Sequence, residues 1–230
     1  MPISVTGDTF TVPAEASTVQ RRTVLRTLGG LGTAALAGCA GFCLGDRPNP
    51  PESGVYRRVT VADEGSVPEG ADLETSVSMT EATVTREHPA RFELAIRNTG
   101  APRATTAGVA EMCGLFDREE GGSRPPALWV HPVEEARHLD RPDGRFLADR
   151  PTDEQRNWPD YGCLPRQYDA GETVRGEYAV WHDYRQCGYF PTGTYRFEDT
   201  VSVWNSMMER TGTPNHRFTW GPTLRVSKPE

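Results

Sequence analysis

Residues 90–98 place the strongest constraint on the fold, because polar and apolar side chains alternate along them. Phe92, Leu94 and Ile96 would point to one side, and Arg91, Glu93, Ala95 and Arg97 would point to the other. This period of two is that of a β-strand with one buried face. The residues Asn98-Thr99-Gly100 at its end are typical of a turn.

Similar short segments recur through the second part of the chain, and glycine, proline and asparagine separate them. They cover residues 55–62, 73–79, 127–133, 173–181, 194–204 and 217–226. Helical periodicity is weak here, and Gly221-Pro222 interrupts the last segment as a bulge or an edge break. Recurring strands with turns between them predict an all-β fold, an antiparallel β-sandwich of about seven to eight strands.

The chain is acidic, since 25 Lys and Arg residues stand against 32 Asp and Glu residues and give a formal net charge of −7. No basic patch offsets this charge, so repulsion from phosphates argues against a nucleic-acid partner. No apolar run approaches the roughly 18 residues of a membrane-spanning helix, which argues against a polytopic membrane protein.

The N-terminal segment has the features of an export signal that ends in a lipid attachment site. Arg21-Arg22 precede an apolar stretch, residues 24–37, that is too short and too weakly apolar for a stable membrane span. The paired arginines resemble a twin-arginine export signal. The residues Leu36-Ala37-Gly38-Cys39 resemble a lipobox. The alternative is a buried amphipathic helix with a chance pair of arginines, but the glycines of this stretch disfavour a helix.

The two resemblances imply that residues 1–38 are removed as the signal and that Cys39 receives the lipid. Residues 39–54 contain Pro48, Pro50 and Pro51 and would form an extended tether. The sandwich would then occupy residues 55–230. A lipid of this kind would hold the protein at the extracytoplasmic face of the cell membrane.

The order of turns and strands in residues 55–230 resembles that of extracellular immunoglobulin-like sandwiches. The resemblance depends on residues 97–100 (R-N-T-G), 169–173 (D-A-G-E-T) and 191–197 (P-T-G-T-Y-R-F). The intracellular proteinase-inhibitor family has a similar layout of N-T-G, G-E and P-x-G-x-Y. The resemblance implies an immunoglobulin-like fold rather than an activity, and no inhibitory motif of that family matches.

Residues 117–160 depart from the strand pattern, because acidic residues, arginines and prolines are frequent in them. We expect this segment to be a polar insertion that is largely exposed to solvent. Trp129 and Trp158 belong to it and are the candidates for a binding surface, since tryptophan supplies a large contact area. Trp181 and Trp204 are expected to fill the core.

Apart from Cys39, the cysteines are Cys43, Cys113, Cys163 and Cys187. Export would place them in an oxidising compartment, where pairing is the default. We predict a disulfide between Cys163 and Cys187, which would close a loop of about 25 residues and contribute ~3 kcal/mol in the chain-entropy model. Cys113 would then pair with Cys43 or stay free.

The sequence contains no G-x-S-x-G, H-E-x-x-H or zinc-finger spacing. We therefore predict a cell-surface lipoprotein with a binding or structural role, neither an enzyme nor dependent on a cofactor or metal. Its partners would be the membrane, through the anchor, and an envelope protein or a glycan. Two alternatives stay open: an envelope protein that binds copper or zinc through His131 and His138, and an enzyme or enzyme inhibitor whose site lies in residues 117–160.

Overall fold

β-Strands dominate the regular structure of the part of the chain that the structure describes. The computed structural model describes residues 50–109, 114–116, 121–133, 141–148 and 165–230. In chain order, the strands in these residues are β1 (Arg57–Asp63), β2 (Leu73–Glu81), β3 (Thr83–Val84), β4 (Arg91–Asn98), β5 (Arg103–Thr105), β6 (Leu128–Pro132), β7 (Leu147–Ala148), β8 (Arg166–Tyr168), β9 (Thr173–Asp183), β10 (Gly193–Arg196), β11 (Asp199–Trp204), β12 (His216–Trp220) and β13 (Thr223–Ser227). Short 3₁₀ helices occupy Pro142–Gly144 and Met207–Glu209.

These strands form three sheets, and the predicted all-β antiparallel sandwich is confirmed. One sheet has five strands, in the order β2-β4-β9-β6 with β7 also beside β9. Two sheets have four strands each, in the orders β10-β13-β1-β3 and β12-β11-β5-β8. The strand pairs of the described residues are antiparallel, apart from the parallel pair of β7 with β9. Within the described residues, no helix is both long enough and apolar enough to cross a membrane.

The inner faces of all three sheets contribute to one hydrophobic core. From the five-stranded sheet come Phe92, Leu94 and Ile96, each fully buried, as their alternation predicts. From the four-stranded sheets come residues such as Val203 and Leu224. Burial of each such side chain contributes roughly 1.5–3 kcal/mol, so this shared core is the main force that holds the sheets together.

The number of strands exceeds the prediction of seven to eight. Eight of the thirteen have five or more residues. The other five have two to four residues, too few for a visible alternation.

Two segments predicted as single strands each divide into two. Residues 194–204 break at Phe197-Glu198, between β10 and β11, and residues 217–226 break at Gly221-Pro222, between β12 and β13. Across the break, the Phe197 N–H donates to the Pro222 carbonyl at 2.9 Å. Proline keeps this acceptor although it has no N–H to donate. The result is a long two-stranded ribbon whose halves belong to different sheets.

Asn98 joins the turn after β4 to the turn before β9. It is fully buried, and its side-chain amide donates to the carbonyls of Ala101 and Asp169, each at 2.9 Å, and of Tyr168 at 3.4 Å. The Gly171 N–H donates to the Asn98 carbonyl at 2.9 Å. The N-T-G and D-A-G-E segments noted in the sequence are therefore in direct contact.

Tyr195 closes the third of these segments, residues 191–197, with a hydrogen bond to the backbone. The Tyr195 hydroxyl donates to the Pro191 carbonyl at 2.8 Å, four residues earlier in the chain. Tyr195 itself is 4% exposed and its ring belongs to the main core. This hydrogen bond fixes the corner at which the chain enters β10.

In the described parts of residues 117–160, where we expect a polar insertion that contains a strand at 127–133, that strand is present as β6 and several side chains are buried. Leu128 and Val130 on β6 are fully buried, and Phe146 and Leu147 are each 2% exposed. Both β6 and β7 pair with the second half of β9. The β6 strand pairs with β9 on the edge away from β4, and β7 pairs with β9 beyond the last residue that β4 pairs. These short strands supply the hydrogen-bond partners that the buried backbone of β9 needs.

Trp181 and Trp204 are buried as expected, at 7% and 8% exposure, but neither belongs to the main core cluster. The tryptophan of the main core is Trp220, which is 1% exposed and contacts Phe116 with ring centroids 6.2 Å apart. The Trp204 indole N–H donates to the Gly212 carbonyl at 3.0 Å. The alternation places Trp181 on the opposite face of β9 from the core residue Val180.

Candidate functional site

The outer face of the five-stranded sheet carries a second hydrophobic cluster, which we call the outer cluster. Its buried members are Phe146, Ala148, Ala179 and Trp181, with Trp129 and Val133 packed against them. Trp129 lies directly opposite Trp181 across β6 and β9. Cross-strand aromatic pairs of this kind stabilise a sheet locally. A sheet face that contacts only water seldom carries a hydrophobic cluster of this kind.

Trp129 is the partly exposed member of this cluster that the sequence singled out. Its ring stacks on that of His131, with centroids 5.8 Å apart and planes 9° from parallel. Gly122 pairs with Trp129 across the edge of β6, and a Cβ at Gly122 would meet the indole at 3.4 Å. The Trp129 indole therefore lies between the backbone of Gly122 and the imidazole ring of His131.

Phe146 closes the outer cluster, and sequence patterns do not indicate this role. Its ring meets the Trp181 ring edge-to-face, with centroids 5.2 Å apart. The Arg141 guanidinium lies 4.5 Å from the centre of the same Phe146 ring, and it donates to the Glu87 carbonyl at 3.1 Å. A cation over an aromatic ring is favourable, and it places a positive charge beside this aromatic end.

At the other end of the same face lies an open cleft of about 420 Å³. Its lining includes Glu74, Ser76, Ala95, Arg97, Thr173 and Arg175. These positions alternate with core residues on β2, β4 and β9, so their side chains point outward. Only the register of the three strands brings them together, and the sequence gives no signal of their proximity.

The charges of this cleft are loosely paired. Arg97 lies 3.9 Å from Glu74, and Arg175 lies 3.5 Å from Glu93. The two arginine side chains are 56% and 60% exposed. Exposed pairs of this length contribute little to stability and leave most of the guanidinium N–H groups available.

Glu172, next to Thr173 of the cleft, caps the turn before β9. The backbone N–H of Asp169 donates to its carboxylate at 2.8 Å, and Arg166 donates at 3.2 Å. The hydrogen bond from Asp169 lowers the pKa of Glu172, and Arg166 acts in the same direction. The carboxylate therefore stays ionised, and keeps this turn closed, to a lower pH than an ordinary glutamate would.

The buried hydroxyl group of Tyr189 is hydrogen-bonded to the backbone of the outer cluster. Tyr189 is 1% exposed, and its hydroxyl oxygen accepts a hydrogen bond from the Phe146 N–H at 2.9 Å. Its ring meets that of His182, which is also 1% exposed, with centroids 5.6 Å apart. Burial raises the pKa of Tyr189 to about 12.

Alkaline pH should destabilise the protein through Tyr189. Its pKa is raised on folding from about 10 to about 12, so its contribution is complete below pH 10 and is lost as the pH rises to 12. The linked loss is about 2–3 kcal/mol. Urea unfolding between pH 9 and 12 should show this fall for the wild type and a smaller one for Tyr189→Phe. An equal fall in both proteins would contradict the assignment.

Several candidates from the sequence lie outside the described residues, namely Arg21, Arg22, Cys39, Trp158, Cys163 and His138. Cys187 is disulfide-bonded. Its predicted partner Cys163 is not among the described residues, so the pairing stays a prediction. His131 stacks on Trp129, and the described residues contain no group of three or more His, Cys, Asp or Glu side chains that could hold a metal ion.

Comparison of the chain with protein-family models, with curated proteins and with solved structures finds no match.

Proposed function

We propose that this protein is an exported, lipid-anchored module that binds a glycan of the cell envelope through the outer face of its five-stranded sheet. The observation that carries the proposal is the outer cluster, whose partly exposed aromatic member is Trp129. An aromatic ring with one apolar body and one N–H suits the C–H and O–H groups of a sugar.

The anchor follows from the order of the two N-terminal motifs, Arg21-Arg22 and then Leu36-Ala37-Gly38-Cys39. A tether of residues 39–54 with three prolines would reach up to about 50 Å if fully extended. That length would let the sandwich turn its outer face toward a polymer above the membrane.

An immunoglobulin-like arrangement is part of the proposal, and two contacts support it. Asn98 bonds the turn before β9, and the Tyr195 hydroxyl bonds the Pro191 carbonyl a few residues earlier. A tyrosine whose hydroxyl bonds the backbone a few residues upstream is a recurrent corner device of immunoglobulin-like sandwiches. Such sandwiches serve as binding modules on many cell surfaces.

A glycan fits this face better than a protein partner does. Among the described residues, the one large hydrophobic side chain that is exposed is Met208, which lies on the loop between β11 and β12. The stretch of β4 that pairs with β9 is also paired with β2 on its other side, so a peptide cannot add to β4 there as a further strand. What the face offers is a partly exposed indole, hydroxyl groups and charged side chains.

The test compares Trp129→Ala with Met208→Ala in the full-length protein. Polysaccharide from the native envelope is incubated with each variant, and the retained sugar is quantified by composition analysis. We expect wild type and Met208→Ala to retain the same polysaccharide and Trp129→Ala to retain about tenfold less, a typical effect for a tryptophan at the centre of an interface. Equal retention by all three proteins, or none by the wild type, would overturn the proposal.

A further inference from the structure

The polar cleft at the far end of the outer face indicates which class of glycan the protein takes. This inference rests on the proposed function, since it concerns the same face of the sheet. We propose that the cleft between Arg97 and Arg175 holds the carboxylate of an acidic sugar unit, so that the ligand is a uronic-acid polysaccharide.

The floor of the cleft is made of the small side chains of Ser76 and Ala95, and Arg175 lies beside them. Ser76, Ala95 and Arg175 lie next to one another on β2, β4 and β9, since Ala95 pairs with Ser76 on one side and with Arg175 on the other. Ala95 has no side chain beyond Cβ, so space opens above the middle strand. The resulting volume of about 420 Å³ is within the range of small-ligand sites.

The two arginines stand at opposite corners of that space. Arg97 pairs with Thr173, two residues before Arg175 on the same face of β9, so the guanidinium groups are diagonal neighbours. Both are more than half exposed, and their carboxylate partners lie 3.5 Å or more away. A guanidinium offers a planar set of N–H donors that matches a carboxylate.

The net charge of the chain affects which ligands can bind at the pair of arginines, Arg97 and Arg175. The chain carries a net charge of −7, which repels anionic polymers in general. An acidic ligand therefore binds best where cations are grouped, and this cleft groups Arg97 and Arg175 with hydroxyl donors from Ser76 and Thr173. Glu74 also lines the cleft, and its carboxylate lies 3.9 Å from Arg97. The hydroxyl groups suit the neighbouring sugar atoms rather than a bare ion.

The length of the face favours a chain of sugars over a single one. Arg175 and Trp181 are six residues apart on β9 and face the same side, a distance of about 20 Å along the strand. The cleft and the outer cluster therefore lie on one line, and a linear polymer laid along β9 would reach both.

The experiment measures binding of the full-length protein to polygalacturonate, to dextran as a neutral glycan and to poly-L-glutamate as an acidic chain without sugar. The variant Arg97→Gln/Arg175→Gln is compared with Arg217→Gln/Arg225→Gln, which removes the same charge from exposed positions on β12 and β13. We expect tighter binding of polygalacturonate than of either other polymer, a loss of about tenfold or more in the cleft variant, and little change in the control variant.

Salt provides a further readout, because binding through two exposed arginines should weaken between about 0.1 M and 1 M ionic strength. Equal affinity for dextran, equal affinity for poly-L-glutamate, or the same loss in both arginine variants would overturn the inference. In each of these cases the proposed function is judged separately, by the loss of envelope polysaccharide in Trp129→Ala. Failure of that variant to lose polysaccharide would instead overturn the proposed function itself.

Discussion

Replacing Gly221 with alanine is expected to lower the free energy of unfolding by about 3 kcal/mol or more. A Cβ at this position would lie 2.1 Å from the Phe197 carbonyl oxygen and 3.2 Å from the Phe116 ring. The nearer contact is with backbone, which cannot turn aside as a flexible side chain can. Relief requires the two strands of the ribbon to separate at the break where Phe197 bonds Pro222.

The matched control is Gly171→Ala. Gly171 has a positive φ of 75°, but a Cβ there would meet nothing within 4 Å. Its cost is therefore backbone strain alone, about 1 kcal/mol. Urea unfolding of both variants checks the difference. If Gly221→Ala is no more destabilising than Gly171→Ala, the close approach at the ribbon break is wrong.

Replacing Asn98 with leucine should cost about 3 kcal/mol, because the side chains are similar in size but leucine cannot donate. The carbonyls of Ala101 and Asp169 would each lose a 2.9 Å hydrogen bond from a side chain that is fully buried. An unsatisfied buried polar group costs about 1–3 kcal/mol. The effect should appear as a lower midpoint of urea unfolding with an unchanged slope.

Two further variants sharpen this test. Thr99→Ala changes the next residue, which is exposed, and should alter stability by less than about 0.5 kcal/mol. Asn98→Asp keeps the shape but replaces the donor by an acceptor, so it should destabilise at least as much as leucine. A stable Asn98→Asp variant would show that the amide does not hold the two turns together.

The sequence predicts the long strands because their burial is one-sided. In β4 and in the first half of β9 the alternation of side chains coincides with the buried and outer faces of one sheet, whereas the second half of β9 is buried on both faces. The short strands β5, β7 and β8 escape prediction, because two or three residues carry no period and their pairing depends on distant partners. The sequence indicates only one of the two breaks in the ribbon, the one at Gly221-Pro222.

The candidate site could be predicted only in part. Trp129 stands out because it is a tryptophan within the polar segment 117–160. Its neighbour across the sheet, Trp181, does not, because a tryptophan in an apolar strand is expected in the core. The cleft escapes prediction because Arg97 and Arg175 are far apart in sequence and meet only through the pairing of β4 with β9. Phe146 escapes it because charged residues and prolines surround it in the sequence.

We propose that the sandwich lies outside the cell on a lipid anchor, and the mass of the intact protein recovered from cell membranes tests this most directly. We expect a single chain that begins at Cys39, with the mass of residues 39–230 increased by a lipid covalently attached to that cysteine. A chain that retains residues 1–38 without modification and is recovered from the cytosol would contradict the account.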